Sequence, residues 1–487
     1  MVRKLIACFL GLLLLVAAVA TFDFDIFKVR SQLGVQSGAS VTSANNKVVP
    51  RALSLVCPGP AFIDQANRAG ASRFAQIGSA QVNVNQNSAS NFFTVSKPKI
   101  IRVNADVTGQ SQGSSLLSAN QTQLIGAAAN GYATGANGLI GADCVRPSSD
   151  FWFLGASTAV GRQALLIVQN PSQVDATFAV ELFDEGGKIN ASGTQGLAVM
   201  AGKSLVVPLA AFAPSDPSLT VHISSQGGAV AAWVQQKTVR GTIAAGIDFI
   251  SPSSSAAQTQ VLPGLTIAAS KAAAEISKAN PDYSDLAPVV RLFVPEVTAG
   301  TATSTSVTIL VSGIDSKTFG TVVRQDIAVG QSTDVALTGL ADGKYSVEVT
   351  ADKPLFASMK VSANSRDPAK VLTSTGSDFT WISAAEPITT MRNFMVPATG
   401  FSSLNIANDS RSETTVIVKD ITHGKTKTYV LPQSGIIDSP THAGDNLQIS
   451  ATSKVYANLT TTRDNGIAAL KILDAKNLGG QVEVSLH

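Results

Sequence analysis

A short apolar phrase occurs four times along this chain, at intervals the size of a domain. The first two copies begin 98 residues apart, and the last two begin 102 residues apart. Repetition at this length predicts a tandem array of similar domains rather than one large fold. Each copy ends in Pro or Gly, and the copies cover residues 53–60, 151–156, 291–296 and 393–398.

Each phrase opens a block with the pattern of short strands joined by turns. In the second block, the apolar runs 164–168 and 176–183 flank Asn170-Pro171, and residues 184–187 (Asp-Glu-Gly-Gly) are typical of a hairpin turn. About seven such strands in about 100 residues are the pattern of a β-sandwich. The sequence therefore predicts an all-β fold, a tandem array of immunoglobulin-like β-sandwich domains after an N-terminal membrane segment.

The repeat also predicts where the domains lie. A signal peptide or N-terminal transmembrane anchor is expected at 1–25 and a flexible spacer at 26–50. The third phrase follows the second by 140 residues, about 40 more than the repeat requires. This surplus, 253–289, is expected to be a linker or helical insertion, with the best helix pattern at 265–279. The β-domains are expected at 51–149, 150–252, 290–385 and 390–487.

The N-terminus has the features of a targeting segment. Arg3 and Lys4 precede an uninterrupted apolar stretch at 5–20, and Ala18-Val19-Ala20 fits a secretory cleavage site. With two more residues the stretch is just long enough to span a bilayer. A retained anchor and a cleaved signal both fit this pattern. We expect a membrane protein with the bulk of the chain extracytoplasmic, or a secreted protein if the leader is cleaved.

The charge content argues against nucleic acid as a partner. Charged residues make up 14% of the chain, the formal net charge is +3, and no basic stripe or acidic tract stands out. The partners expected instead are the membrane, through the N-terminal segment, and envelope proteins or wall glycans.

The three cysteines predict a disulfide. Cys8 lies in the leader, which leaves Cys57 and Cys144 as a pair in the exported part. In an oxidising compartment such a pair is expected to be oxidised. Two free thiols are the alternative, while a zinc site lacks nearby His or Cys ligands in the sequence.

No catalytic motif emerges from the remaining residues. The four histidines, His222, His423, His442 and His487, have no metal-binding spacing, and no G-x-S-x-G elbow occurs. We therefore expect no enzyme activity, no metal and no cofactor. Trp152, Trp233 and Trp381 are candidates for stacking on a ligand such as a sugar, although tryptophans near domain junctions more often fill a core or a seam.

One set of motifs resembles a known family. The motifs, in chain order, are Cys57-Pro-Gly, Cys144 just ahead of Trp152-Phe-Leu-Gly155, and Gln169-Asn-Pro171 between two strands. Their combination resembles an actinobacterial family of exported or membrane-anchored proteins with no assigned activity. The resemblance covers roughly residues 50–487. It implies an extracytoplasmic, envelope-associated, β-rich protein, and it supplies no catalytic residues.

These features favour a non-enzymatic, extracytoplasmic scaffold or interaction protein of the cell envelope. The alternative is an array of modules that binds cell-wall polysaccharide or acts in adhesion. An enzyme with a site assembled across domains from scattered Asp and Ser residues is a third hypothesis. A cleft holding two carboxylates in unusual environments would favour the enzyme, and exposed aromatic rings in a groove would favour sugar binding.

Overall fold

A computed structural model of the chain describes most of the residues beyond position 136 and several strands before it. The chain divides into two compact units, one made of 1–50 with 479–487 and the other of 51–478. In the first unit, strand β1 (Asn46–Val48) pairs with β35 (Val482–Val484). The described residues are 46–48, 52–64, 74–77, 79–86, 89–95, 99–104, 123–127, 137–296, 303–314, 321–373, 376–398, 400–473 and 482–484.

The predicted leader at 1–25 lies outside the described residues, as does all of the predicted spacer except 46–48. Within the described part of the chain, no helix has the length and apolar character needed to cross a membrane. The larger unit is mostly β, and all of its strand pairs are antiparallel, as the sequence predicts.

The first block of the larger unit contains three small sheets. Its strands are β2 (Ala52–Cys57) with β7 (Lys99–Asn104), β3 (Ala61–Asp64) with β4 (Phe74–Ile77), and a four-stranded sheet in the order β6 (Ala89–Val95), β5 (Ser79–Gln86), β8 (Gln123–Ala127) and β9 (Leu139–Asp143). Strand β9 is an edge strand of that last sheet.

Two sheets enclose a shared core between residues 150 and 250, and we call them the first sheet pair. One sheet has the order β10 (Asp150–Ala156), β16 (Leu219–Gln226), β12 (Ala176–Asp184) and β13 (Gly187–Lys188), with β14 (Leu197–Val199) also on β12. The other has the order β15 (Ser204–Pro208), β11 (Arg162–Gln169), β17 (Ala231–Arg240) and β18 (Ile243–Ile250), and a 3-10 turn spans Leu209–Ala211. Alternate side chains of both sheets meet in one core because strands expose successive residues to opposite faces.

The second sheet pair, at 257–383, is built around one long strand. Strand β24 (Gly343–Asn364) pairs with β19 (Ala257–Ile267) and β21 (Ser304–Gly313) along its first half, and β22 (Val322–Ala328) follows β21. Its second half pairs with β20 (Val289–Phe293) and β25 (Ser377–Ser383), and β23 (Thr333–Ala336) follows β20. The helical elements are α1 (Ser270–Ala279), a 3-10 helix (Pro281–Leu286) and α2 (Pro368–Val371).

The third sheet pair, at 387–471, repeats the strand order of the first. One sheet runs β27 (Arg392–Met395), β32 (Asn446–Ala451), β29 (Thr414–Asp420) and β30 (Lys425–Leu431). The other runs β31 (Ile436–Thr441), β28 (Phe401–Ala407), β33 (Val455–Arg463) and β34 (Gly466–Lys471), with β26 (Pro387–Ile388) on β33.

The structure corrects the start of the second sheet pair. In the first pair the opening strand β10 pairs with β16. In the second pair the matching place, beside the first half of β24, is taken by β19. The third phrase begins instead in β20, which pairs with the second half of β24. Both opening strands have a register shift, at Gly155 and at Gly264, and both glycines have positive φ. Residues 291–296, predicted to open this block, instead begin in β20, the second strand of the sheet pair along the chain.

The predicted linker or helical insertion at 253–289 accordingly has two parts. Residues 257–267 form the opening strand β19, where no strand was predicted. The helical part is α1 together with the 3-10 helix, which lies between β19 and the next strand of the pair, β20. The helix prediction at 265–279 is correct from residue 270 onward; we call residues 270–286 the helical insertion.

Four edge strands, one from each block, meet at a common junction. They are β9, β18, β25 and β34, and each contacts two others in a closed cycle. Gly141 of β9 approaches so closely that a Cβ there would lie 2.8 Å from the Cβ of Ala468. The cores are also shared: Phe379 and Trp381 of β25 pack in the first core, Ile467 of β34 in the second, and Leu139 of β9 in the third. The junction thus covers edges that would otherwise be open to pairing with other chains.

Buried aspartates hold this junction together. Asp378 accepts hydrogen bonds from the backbone N–H groups of Leu139 (2.8 Å), Ile467 (3.1 Å) and Ile247 (3.3 Å). Asp248 accepts from the N–H of Gly141 and from the Thr380 hydroxyl. Asp143 accepts from the N–H of Lys471 at 3.1 Å. In each case the carboxyl group satisfies backbone donors of a strand that, among the described residues, pairs with another strand on one side only.

Candidate functional site

The predicted disulfide is present. Cys57 and Cys144 are joined with an S–S distance of 2.09 Å, and both are fully buried. Reciprocal backbone hydrogen bonds between Val56 and Val145 place the two cysteines side by side. The bridge ties the end of β2 to the residue after β9, and therefore to the junction.

Trp233 has no accessible surface for a ligand. Its side chain is fully buried in β17, and its indole N–H donates a 3.0 Å hydrogen bond to the carbonyl of Asp143. A buried indole with its single donor satisfied fills a seam between blocks. This residue does not provide a stacking platform.

Trp152 is half-buried and its ring is already stacked. The imidazole of His222 lies on it at 4.0 Å between ring centroids, and Phe293 and Phe356 are each 5.2 Å away. Both ring nitrogens of His222 are 2.8 Å from carboxylate oxygens, one of Glu181 and one of Asp150. The aromatic contacts occupy this tryptophan in a seam between the first and second sheet pairs.

Trp381 is buried, with 6% of its surface exposed, but it borders a cavity. The guanidinium carbon of Arg291 lies 4.9 Å from its ring centroid, which is a cation–π distance. Of the three predicted stacking residues, this is the one that the structure places beside a space for a ligand.

That cavity, which we call the cationic cavity, has a volume of about 240 Å³ and lies between the first and second sheet pairs. Its wall combines an aromatic side with charged groups. The charged lining residues are Arg162 of β11, Asp285 of the helical insertion, Arg291 of β20, Asp334 of β23 and Lys360 of β24, and Phe379 and Trp381 of β25 form the aromatic side.

One carboxylate at this cavity forms ion pairs with three basic side chains. Asp285 is 2.7 Å from Arg162, 2.6 Å from Arg240 and 3.0 Å from Lys360, measured between charged atoms. Burial alone would raise the pKa of Asp285, but the charges of Lys360, Arg240 and Arg162 outweigh burial and hold it well below its ordinary value. This carboxylate therefore stays ionised throughout the physiological range.

The basic side chains of this cavity are affected by burial and by one another. Burial lowers the pKa of Lys360 and of Arg162, and the neighbouring cations lower both further, against the opposing effect of Asp285. Arg291 has its own partner, because it forms a two-pronged ion pair with Asp334 at 2.6 and 2.8 Å. The lining cations Arg162 and Lys360 thus depend on one shared carboxylate, that of Asp285.

A second, larger cavity lies under α1. Its volume is about 600 Å³, and its wall is mostly apolar, formed by α1, the end of the 3-10 helix and the segment before β24. The side-chain oxygen of Asn364 at this cavity is buried and has no hydrogen-bond partner among the described residues. Ser284 lines both cavities, so the helical insertion borders the two of them.

Sequence reasoning singled out two parts of this site, Trp381 and the surplus segment that contains Asp285. The basic residues lie far apart in the chain, in strands β11, β17 and β24, and carry no recognisable spacing. The available signal was the departure from the repeat, since the surplus segment supplies Asp285 and covers the apolar cavity.

Comparison with known families identifies the chain. Residues 95–435 match the model of DUF5719, a family of unknown function, and the chain belongs to that family. The match includes the whole cationic cavity and ends within the third sheet pair. A comparison with curated proteins gave no match.

Proposed function

We propose that this chain is a non-enzymatic interaction protein of an actinobacterial cell envelope that binds an acidic group, a phosphate or a carboxylate, in the cationic cavity. In this proposal, tandem immunoglobulin-like β-sandwich domains stand outside the membrane behind an N-terminal membrane segment. The observation that carries the proposal is the convergence of three basic side chains on the single carboxylate of Asp285, two of them in the cavity wall.

The charge balance supports an anionic ligand. Arg162 and Lys360 line the cavity and share one carboxylate with Arg240, so an incoming anion would give the two lining cations a second counter-charge. Arginine and lysine donors in a partly buried setting make strong, charge-assisted hydrogen bonds to oxyanions. The volume of about 240 Å³ suits a single acidic group with a small attached moiety.

The state of the carboxylates supports binding rather than catalysis. Asp285 is held ionised by three cations, so it is a poor proton donor and a weak base near neutral pH. Asp334 is engaged by both prongs of Arg291. Asp285 is therefore poorly suited to exchange protons with a substrate.

The alternative, a protein that binds cell-wall polysaccharide, rests on the aromatic side of the same cavity. Phe379 and Trp381 lie in its wall beside hydroxyl and amide groups, a combination that suits sugar rings. An acidic sugar would satisfy both the aromatic and the cationic sides.

Calorimetric titration of the exported chain tests the proposal. The ligands are inorganic phosphate, galacturonate and neutral chitotriose, and the variant is Arg162→Gln. We expect saturable binding of phosphate or galacturonate that weakens about tenfold or more in the variant, because a hydrogen bond to a charged group is lost. Arg324→Gln, at an exposed arginine of β22, is the matched control and should bind as the wild type does.

Three outcomes would contradict the proposal. The first is no saturable binding of either acid, and the second is binding that Arg162→Gln leaves unchanged. The third is binding of chitotriose alone, which would favour neutral polysaccharide over an acidic ligand.

A further inference from the structure

Two loops at one end of the third sheet pair lie side by side. The hairpin turn between β29 and β30 spans 421–424, and the loop between β31 and β32 spans 442–445. Backbone hydrogen bonding joins them: the N–H of Ile421 donates to the carbonyl of Asn446 at 2.8 Å, and the N–H of Asn446 donates to the Thr422 hydroxyl at 2.8 Å. The loops are therefore held in a fixed relation to each other.

This pairing brings two histidines and two aspartates together. The Nδ1 atom of His423 is 2.8 Å from Oδ2 of Asp420 and 3.5 Å from Oδ1 of Asp445. The Nδ1 atom of His442 is 3.2 Å from the other oxygen of Asp445, and the two imidazole centroids are 6.2 Å apart. One nitrogen and two carboxylate oxygens thus converge on a single point, with a second imidazole beside it.

We propose that Asp420, His423 and Asp445 bind a divalent metal ion of the zinc class, with His442 as the fourth ligand. A tetrahedral zinc ion holds N and O ligands at about 2.0–2.2 Å, which places the ligand atoms about 3.4 Å from one another. In the chain, one ligand atom from each of the three residues lies within 4.8 Å of the others, so small side-chain rotations suffice.

The ligand types select the kind of metal. Imidazole nitrogen with carboxylate oxygen suits zinc and its neighbours in the first transition row, whereas calcium and magnesium prefer oxygen alone. Asp445 is the buried anchor, with 4% of its side chain exposed, while His423 and His442 are 51% and 81% exposed. The site is therefore open to solvent on the histidine side, where an ion can enter.

The comparison with His222 separates this cluster from an ordinary ion pair. Each nitrogen of His222 meets its own carboxylate, and the ring is closed in by Trp152. In the proposed metal site, a single nitrogen of His423 faces two carboxylates at once. A metal ion bound between Asp420, His423 and Asp445 would neutralise charge on both carboxylates. It would also link the hairpin turn to the neighbouring loop.

Zinc titration near neutral pH tests the inference. Calorimetry with ZnCl2 on the exported chain, with MgCl2 as the comparison ion, should give one saturable zinc site per chain and no magnesium site. His423→Asn should weaken zinc binding about tenfold or more. The variant lies in an exposed turn that tolerates Asn, and Asp464→Asn, at a carboxylate 92% exposed, is the matched control that should bind zinc normally.

A second measurement reports the coordination itself. Cobalt added in place of zinc should develop the intense visible absorption of tetrahedral coordination in the wild type and in Asp464→Asn, but not in His423→Asn. Unfolding curves without metal should coincide for all three chains, which shows that the variants fold. Absence of saturable zinc binding, or zinc binding that His423→Asn leaves unchanged, would overturn the inference.

Discussion

At the scale of single residues, the most consequential group is the carboxylate of Asp285. It belongs to the helical insertion, yet its partners Arg162, Arg240 and Lys360 come from strands of two different sheet pairs. A buried charge that loses its partner is costly, because water cannot replace the lost contact. One side chain thus forms ion pairs with three cations and joins the helical insertion to two sheet pairs.

Replacing that carboxylate should therefore be destabilising. We expect Asp285→Asn to lower the free energy of unfolding by about 3–5 kcal/mol, because three partly buried cations lose their common counter-charge. Denaturation by urea, followed by tryptophan fluorescence, measures the change. Asp282→Asn, at an exposed position in the same 3-10 helix, should have little effect, and equal losses in the two variants would contradict this view.

The junction aspartates predict a second residue-scale effect, on pH dependence. Burial raises the pKa of Asp143 to about 6, against the charge of Lys471, and raises that of Asp378 to about 7, against hydrogen bonds from backbone N–H groups. Because the folded-state pKa values exceed the unfolded values, the stabilisation is complete at acid pH and is lost as the pH rises through 6 and 7.

The free energy of unfolding should accordingly fall by about 2–4 kcal/mol from pH 5 to pH 8. Urea denaturation at a series of pH values measures it. Asp378→Asn removes one titrating group and should flatten the curve near neutrality, whereas Asp464→Asn should leave its shape unchanged. Stability that instead rises between pH 5 and pH 8 would contradict the assignment.

At the scale of elements, the disulfide links a poorly supported strand to a well-supported one. Cys57 ends β2, which pairs only with β7 among the described strands, and Cys144 follows β9 in the junction. The two cysteines are 87 residues apart, so the bridge restricts a long loop in the unfolded chain.

We expect the double variant Cys57→Ala, Cys144→Ala to lose about 2–5 kcal/mol of unfolding free energy. The single change Cys8→Ala is the control, since that residue lies in the predicted leader, outside the described residues. Urea denaturation of oxidised wild type and variant measures the difference. A stability equal to that of the wild type would show that backbone pairing between Val56 and Val145 suffices.

The elements also show where sequence reasoning succeeds. Strands such as β12 and β16 were predictable because turns bound them and their apolar residues alternate. The opening strand β19 was missed because it follows a serine-rich stretch and precedes a helix. Its buried residues form a continuous run, so the sequence lacks the alternation of apolar and polar residues that indicates a strand. The cationic cavity was not predictable, because tertiary packing alone brings Arg162, Asp285 and Lys360 together.

At the scale of the whole molecule, the junction makes the blocks interdependent. Each of the three cores contains a side chain from another block, namely Phe379, Ile467 and Leu139. When one block unfolds, the core that contains its side chain therefore loses packing contacts. The unit 51–478 should therefore unfold in one cooperative transition instead of four separate ones. Scanning calorimetry tests this by comparing calorimetric and van't Hoff enthalpies.

A fragment provides the control for cooperativity. Residues 150–252 expressed alone should unfold at a lower temperature than the whole unit, because strand β18 loses its junction partners and Trp381 leaves the first core. If the whole unit shows a separate transition at the melting temperature of the fragment, the blocks unfold independently and the prediction is contradicted.

The binding of an acidic group in the cationic cavity is tested most directly by diffraction. Crystals of the unit 51–478 soaked with selenate, an oxyanion whose selenium scatters anomalously, locate the bound anion directly. We expect an anomalous peak within hydrogen-bond distance of Arg162 and Lys360, and a much weaker peak there in Arg162→Gln. Peaks confined to the outer surface, with none in the cationic cavity, would contradict the proposed function.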